Sequence, residues 1–167
     1  PAWSAPDPSR LALIIGNSSY RDAPLVNPAN DAKAIGALFT QAGFTVDSRL
    51  DTTRIDLMAA IERFGAAIKR SETRLVVFYY AGHGENDPDL GAYWVPVDGQ
   101  PMADFTWIAA SDITRELQRM NAASILVISD SCYAGGLSRG GGDAAPNPEA
   151  RERYLAKASR LKSRQLM

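Results

Sequence analysis

The chain is 167 residues long, enough for one domain with a real core, and 46% hydrophobic against 22% charged residues is an ordinary balance for a folded globular protein. Eighteen basic residues face nineteen acidic ones, a formal net charge of -1, which supplies no overall attraction to nucleic acid or to an anionic membrane. One cysteine excludes an internal disulfide and a cysteine-rich zinc site, one histidine excludes a histidine metal cluster, and no apolar run approaches the roughly 20 residues of a membrane-spanning helix.

Residues 1–10 hold three prolines and read as an extended leader or linker. The small residues Ala2, Ser4 and Ala5 suit either the remnant of a signal-peptide cleavage region at residues 1–5 or a linker, so the compartment stays open between cytoplasm and an exported, periplasmic location. Leu11 to Gly16 is a continuous apolar run, the pattern of a strand buried on both faces. Residues 28–42 place Ala32, Ile35, Leu38, Phe39 and Ala42 at helical spacing, and Gly43 supplies a stop. Phe44 to Leu50 alternates as a second strand. Thr53 to Lys69 then forms a helix with Leu57, Met58, Ile61, Phe64 and Ile68 on one face.

Leu75 to Tyr80 is a third apolar strand, and Gly91 to Val97 a short one that Pro96 marks as an edge. Ser111 to Met120 is a third helix, with Ser111 as its cap. Ser124 to Ile128 is the fourth buried strand. Strand and helix alternate throughout, so the expected fold is α/β with a mostly parallel central sheet of four main strands. Residues 139–167 form a Gly/Asp/Pro-rich loop and a locally basic, partly helical tail, leaving 11–138 as the core.

In such a sheet the working residues gather at the carboxyl ends of the strands. Two segments stand out there. Tyr80-Ala81-Gly82-His83-Gly84-Glu85 follows the third strand, and Asp130-Ser131-Cys132-Tyr133-Ala134-Gly135 follows the fourth. The sole histidine and the sole cysteine would thus reach the same end of the sheet. An imidazole beside a cysteine generates or stabilises the thiolate, the reactive form. It also returns a proton to a leaving amine. The flanking glycines let backbone approach a substrate closely, and the amide groups of Gly84 and Cys132 suit an oxyanion hole. No metal-ligand spacing is present, and Gly16-Asn17-Ser18-Ser19 is neither a dinucleotide fingerprint nor a phosphate-binding loop.

These two segments resemble the histidine and cysteine motifs of the caspase and metacaspase superfamily. Their separation of 49 residues is close to the roughly 50 characteristic of caspases. Ala12 to Tyr20 and Asn27-Pro28-Ala29-Asn30-Asp31-Ala32 resemble bacterial members, the orthocaspases. The resemblance covers residues 11 to about 138. It implies a three-layer sandwich, a catalytic dyad of His83 and Cys132, and a thiol endopeptidase that takes a polypeptide substrate. Animal caspases carry Gln-Ala-Cys and cleave after Asp, whereas Asp130 here stands two before the cysteine, as in metacaspases. In that branch Asp130 and Asp31 line the S1 pocket, and two carboxylates select Arg or Lys.

A helix N-terminal carboxylate is the plainer role for Asp31. The resemblance further implies additional strands after the cysteine motif, carried by a small C-terminal subunit or by a longer protein. The basic residues between Arg151 and Arg164 would be a site of self-processing. Calcium activates some metacaspases, but no carboxylate cluster marks a site here, so no cofactor is expected. The alternative function is a caspase-like scaffold or interaction module that does not turn over.

Overall fold

The computed structural model describes residues 7–70, 73–87, 91–120 and 122–133. The elements follow in the order β1 (Asp7–Gly16), α1 (Pro28–Gln41), β2 (Phe44–Leu50), α2 (Arg54–Arg70), β3 (Leu75–Asp87), β4 (Gly91–Trp94), a 3-10 turn (Asp104–Thr106), β5 (Ile108–Ala109), α3 (Ala110–Gln118) and β6 (Ser124–Tyr133). Among the described residues the sheet has six strands, the four expected main ones and two short ones, β4 and β5. Strands β2, β1, β3 and β6 lie side by side in parallel, while β4 pairs antiparallel with the far end of β3 and β5 pairs antiparallel with β4. The sheet is therefore mostly parallel, and helices flank it on both sides.

Strand alternation sorts the core into two faces. Leu11, Leu13, Ile15, Val76, Phe78 and Tyr80 pack with Leu57, Ala60, Ile61, Phe64 and Ile68 of α2 and with Ile113 and Leu117 of α3. Ala12, Ile14, Val77, Tyr79 and Ala81 pack on the other face against Ala32, Ile35 and Phe39 of α1, with Phe44 and Val46 from β2. Gly16 is required where α1 meets the sheet, because a Cβ there would lie 2.5 Å from the Ala32 Cβ and 2.6 Å from the Pro28 carbonyl oxygen.

Several expectations need correction. β1 begins at Asp7, where Asp7 stands opposite Phe44, so part of the proline-rich leader belongs to the sheet. Pro96 lies beyond β4, which sits between β3 and β5 and is not an edge. Ser111 does not cap α3, since the helix starts one residue earlier and Ala109 holds the cap position. Leu38 and Met58 face solvent, and Ala60 takes the core place on α2. Residues Ile125 to Ile128 are half-buried, because β6 has a partner strand on one side only among the described residues. The segment 139–167, with its basic residues, lies outside the described residues. No helix among the described residues is long and apolar enough to cross a membrane.

Candidate active site

As far as Glu85 and Tyr133, the two motif segments do not follow their strands as loops; they continue them. β3 and β6 pair with each other past the point where β1 ends, as far as Gly84 and Tyr133, and β4 pairs the last residues of β3 up to Asp87. In that ladder His83 and Cys132 are direct partners, and Ala81 is the partner of Asp130. Partner residues on neighbouring strands stand about 4.8 Å apart. Val77, Tyr79 and Ala81 of β3 and Leu126 and Ile128 of β6 belong to the α1 side. Continuing the alternation puts strand positions 83 and 130 on that same face.

The loop from Asn17 to Asn27, between β1 and α1, closes over His83. The imidazole Nε2 is 2.7 Å from the Ala23 carbonyl oxygen. A carbonyl only accepts, so Nε2 carries the proton and Nδ1 of the neutral ring is left as the acceptor. The ring meets that of Tyr20 edge-on, with centroids 4.3 Å apart. The loop is itself tied down by Asp51, whose carboxylate accepts the Ser18 N–H (2.7 Å), the Ser19 N–H (2.8 Å) and the Ser19 hydroxyl (2.8 Å). Burial works to raise the Asp51 pKa, but those three donors together hold it below the ordinary aspartate range.

Asp31 sits half-buried in the first turn of α1, and Asp130 is exposed on β6. Tyr79 links them. Its hydroxyl lies 3.4 Å from Asp130 Oδ2, a long hydrogen bond. Its pKa is pushed up to about 12, first by burial, then by the charges of Asp130 and Asp31. Asp130 thus contacts the phenol, and Asp31 acts on it through its charge. On the opposite face, Trp94 stacks on Tyr80 at 4.5 Å and donates from Nε1 to the Ser129 hydroxyl at 3.0 Å, which fastens β6 to β4. Ser129 in turn bonds Ser131 at 3.0 Å.

Sequence reasoning missed Tyr20, Tyr79, Tyr80, Ala23, Asp51 and Trp94. Only the tyrosines had a signal, as polar-tipped aromatics beside the histidine motif or in the loop after the first strand. Glu85 follows the histidine motif, and among the described residues its buried Oε1 has no hydrogen-bond partner; burial pushes its pKa up. Among the described residues, no three His, Cys, Asp or Glu side chains converge as a metal site.

A three-layer α/β sandwich with histidine and cysteine at matched register on adjoining parallel strands is the arrangement of a caspase-like domain. The chain matches the caspase domain of peptidase family C14 over residues 9–164, and it belongs to that family. It is 31% identical over 126 residues to the mucosa-associated lymphoid tissue lymphoma translocation protein 1 of Homo sapiens, covering 74% of this chain and 15% of that protein. The Mus musculus homolog matches with the same identity and coverage. The chain thus spans a small part of the curated relatives' length. Among solved structures it resembles a Geobacter sulfurreducens protein, with TM-score 0.59 and 25% identity over 77% of this chain and 53% of the other. It also shares the fold of the Drosophila initiator caspase Dronc, with TM-score 0.58 and 11% identity over 76% of this chain and 51% of that one.

Proposed function

We propose that this chain is the catalytic core of a cysteine endopeptidase that cleaves polypeptides after Arg or Lys. The observation that carries the reading is the pairing of His83 with Cys132 in the β3–β6 ladder, with the histidine Nε2 already engaged by Ala23. The Cys132 thiol passes its proton to His83 Nδ1, and the sulfur attacks the scissile carbonyl carbon. The amide groups of Gly84 and Cys132 stand in the β3–β6 ladder and would have to leave that pairing to receive the developing oxyanion. His83 then protonates the departing amine, the C–N bond breaks, and a thioester remains on Cys132. Water, deprotonated by His83, hydrolyses it and restores the thiol.

Asp31 and Asp130 form the floor that selects the basic side chain, and Tyr79 between them supports that assignment. A guanidinium entering a site with two carboxylates gains charge-assisted hydrogen bonds that no Asp or Ala side chain can make. This reading puts the chain with the bacterial, metacaspase-like members, on Asp130 and on the Asn30-Asp31 pair. The side of β6 that has no partner strand among the described residues suits a C-terminal portion or small subunit that extends the sheet.

Fluorogenic peptides differing only at P1 (Arg, Lys, Asp or Ala) test this, with wild type and Cys132→Ala, each with and without calcium. Arg or Lys turnover that disappears in the variant is the expected result. Asp turnover would keep the peptidase and remove the roles of Asp31 and Asp130. Silence under every condition would favour the non-catalytic caspase-like scaffold.

A further inference from the structure

We infer that Tyr20 and Tyr80 are positioning residues that clamp the peptide of His83 and so aim its imidazole at Cys132, an inference that rests on the peptidase reading above. β1 reaches along β3 only as far as Ala81, and β4 takes up pairing at Gly84. The edge of β3 between them is a gap in the ladder, and the His83 N–H points into it. The Tyr20 hydroxyl fills that gap, accepting the His83 N–H at 2.9 Å and donating to the Val95 carbonyl at 2.9 Å. Tyr80, from within β3, donates to the His83 carbonyl at 2.8 Å, which also accepts the Val95 N–H at 3.0 Å. The Tyr80 hydroxyl also lies 2.9 Å from the Val95 carbonyl, but each hydroxyl has one proton, and with Tyr20 donating to Val95 this assignment uses each once.

Gly82 shows how closely the clamp is built. A Cβ at that position would lie 2.6 Å from the Tyr20 hydroxyl oxygen and 2.8 Å from that of Tyr80. The two hydroxyls are 3.4 Å apart and buried. Burial raises both phenol pKa values, so both hydroxyls stay protonated across the working range of an enzyme. Backbone held at N–H and C=O, together with a ring held at Nε2 by Ala23, leaves the imidazole little freedom about its two side-chain torsions. The β1–α1 loop supplies two of those three restraints, and Asp51 anchors that loop. Small misplacement of a catalytic group is costly, on the order of 100-fold for about 1 Å.

The test uses the whole chain as wild type, Tyr20→Phe and Tyr80→Phe, because phenylalanine keeps the ring and removes only the oxygen. A single histidine and a single cysteine make every signal assignable. The ¹⁵N spectrum of the imidazole reports its tautomer, and iodoacetamide alkylation against pH reports the Cys132 thiolate. Wild type is expected to show one neutral tautomer with the proton on Nε2. Tyr20→Phe should give mixed tautomers or exchange broadening, and its alkylation midpoint should move towards the roughly 8.5 of an unassisted thiol. Tyr80→Phe should do the same more weakly, because Val95 still holds the carbonyl.

With an Arg peptide, kcat should fall about 10-fold or more for Tyr20→Phe, and KM should change little. A lower melting temperature with an unchanged tautomer and alkylation profile in both variants would overturn the clamp, as would a wild type of mixed tautomer. If no peptide is cleaved at all, the peptidase reading fails while the spectral and alkylation results still decide the clamp.

Discussion

Tyr79 holds its hydroxyl 3.4 Å from the carboxylate of Asp130, in a field that Asp31 also contributes to. Two negative charges around a buried phenol leave a net demand for a cation. Asp130→Asn removes one charge and keeps the shape, so kcat/KM for an Arg peptide should fall by about 10- to 100-fold, the worth of one charge-assisted contact at about 1.5–3 kcal/mol. Turnover of an Ala peptide, however slow, should change little. An equal fall for both peptides would show that Asp130 serves the fold and not selection.

Burial first, and then the same two charges, set a titration. With its pKa pushed up to about 12, Tyr79 should stay un-ionised well past pH 10. Ultraviolet difference titration of wild type against Tyr79→Phe isolates this phenol. A Tyr79 component appearing near pH 10 would show that the phenol is neither buried nor crowded by the carboxylates as the structure has it. In Asp130→Asn the midpoint should move down, because one of the opposing charges is gone.

How much of this could be read from the residues alone depended on the kind of signal. Leu11 to Gly16, Leu75 to Tyr80 and the faces of α1 and α2 are legible because buried elements must be apolar at fixed periods. The ends of β3 and β6 are not, since Gly82, Gly84, Asp130 and Ser131 carry no apolar pattern. Those strands continue because they pair with each other, a relation between residues about 50 positions apart. His83 and Cys132 were placed at one end of the sheet by the strand order, but their direct opposition needed the register. The glycines of the histidine motif suggested room for substrate. The structure adds a second reason, room for two tyrosine hydroxyls at Gly82 and for the Ser131 side chain at Gly84.

Gly82→Ala follows from that packing. Its φ of 159° lies in the region that side chains rarely adopt, so alanine meets a torsional penalty as well as the collision with the two hydroxyls. Overpacking of this kind costs about 1–3 kcal/mol, measurable by urea denaturation. Combining it with Tyr20→Phe and Tyr80→Phe, which remove both obstructing oxygens, should return part of that stability. If the triple variant is merely the sum of its parts, the collision is not the cause.

Asp51 gives the pH dependence. It adopts a left-handed backbone with φ of 51°, a conformation that asparagine also tolerates, so Asp51→Asn tests the charge with little backbone cost. Because its folded pKa lies below the ordinary value of 3.8, the carboxylate stabilises the fold above that value. The benefit is lost as pH falls through the folded pKa. The melting temperature of Asp51→Asn should therefore trail wild type by a constant few degrees from pH 5 to 8, consistent with about 1 kcal/mol for a partly solvated carboxylate with three donors. The gap should narrow as pH falls below the ordinary aspartate value of 3.8. A gap that does not narrow there would assign the effect to geometry instead of charge.

Trp94 controls how firmly β6 is held. Among the described residues β6 is paired on one side only, to β3, and the Trp94 Nε1–H to Ser129 bond at 3.0 Å is a side-chain tie from β4. Trp94→Phe keeps an aromatic ring stacked on Tyr80 but removes the donor, which should cost about 1 kcal/mol globally. The more telling effect is local. Amide hydrogen exchange should quicken in β6, from Ile125 to Ser131, by more than in β1 or in the first half of β3, because an edge strand opens without unfolding its neighbours. Since β6 carries Cys132, turnover should fall with it. Uniform acceleration across all strands would instead mean that Trp94 acts only through the shared core it forms with Phe78 and Tyr80.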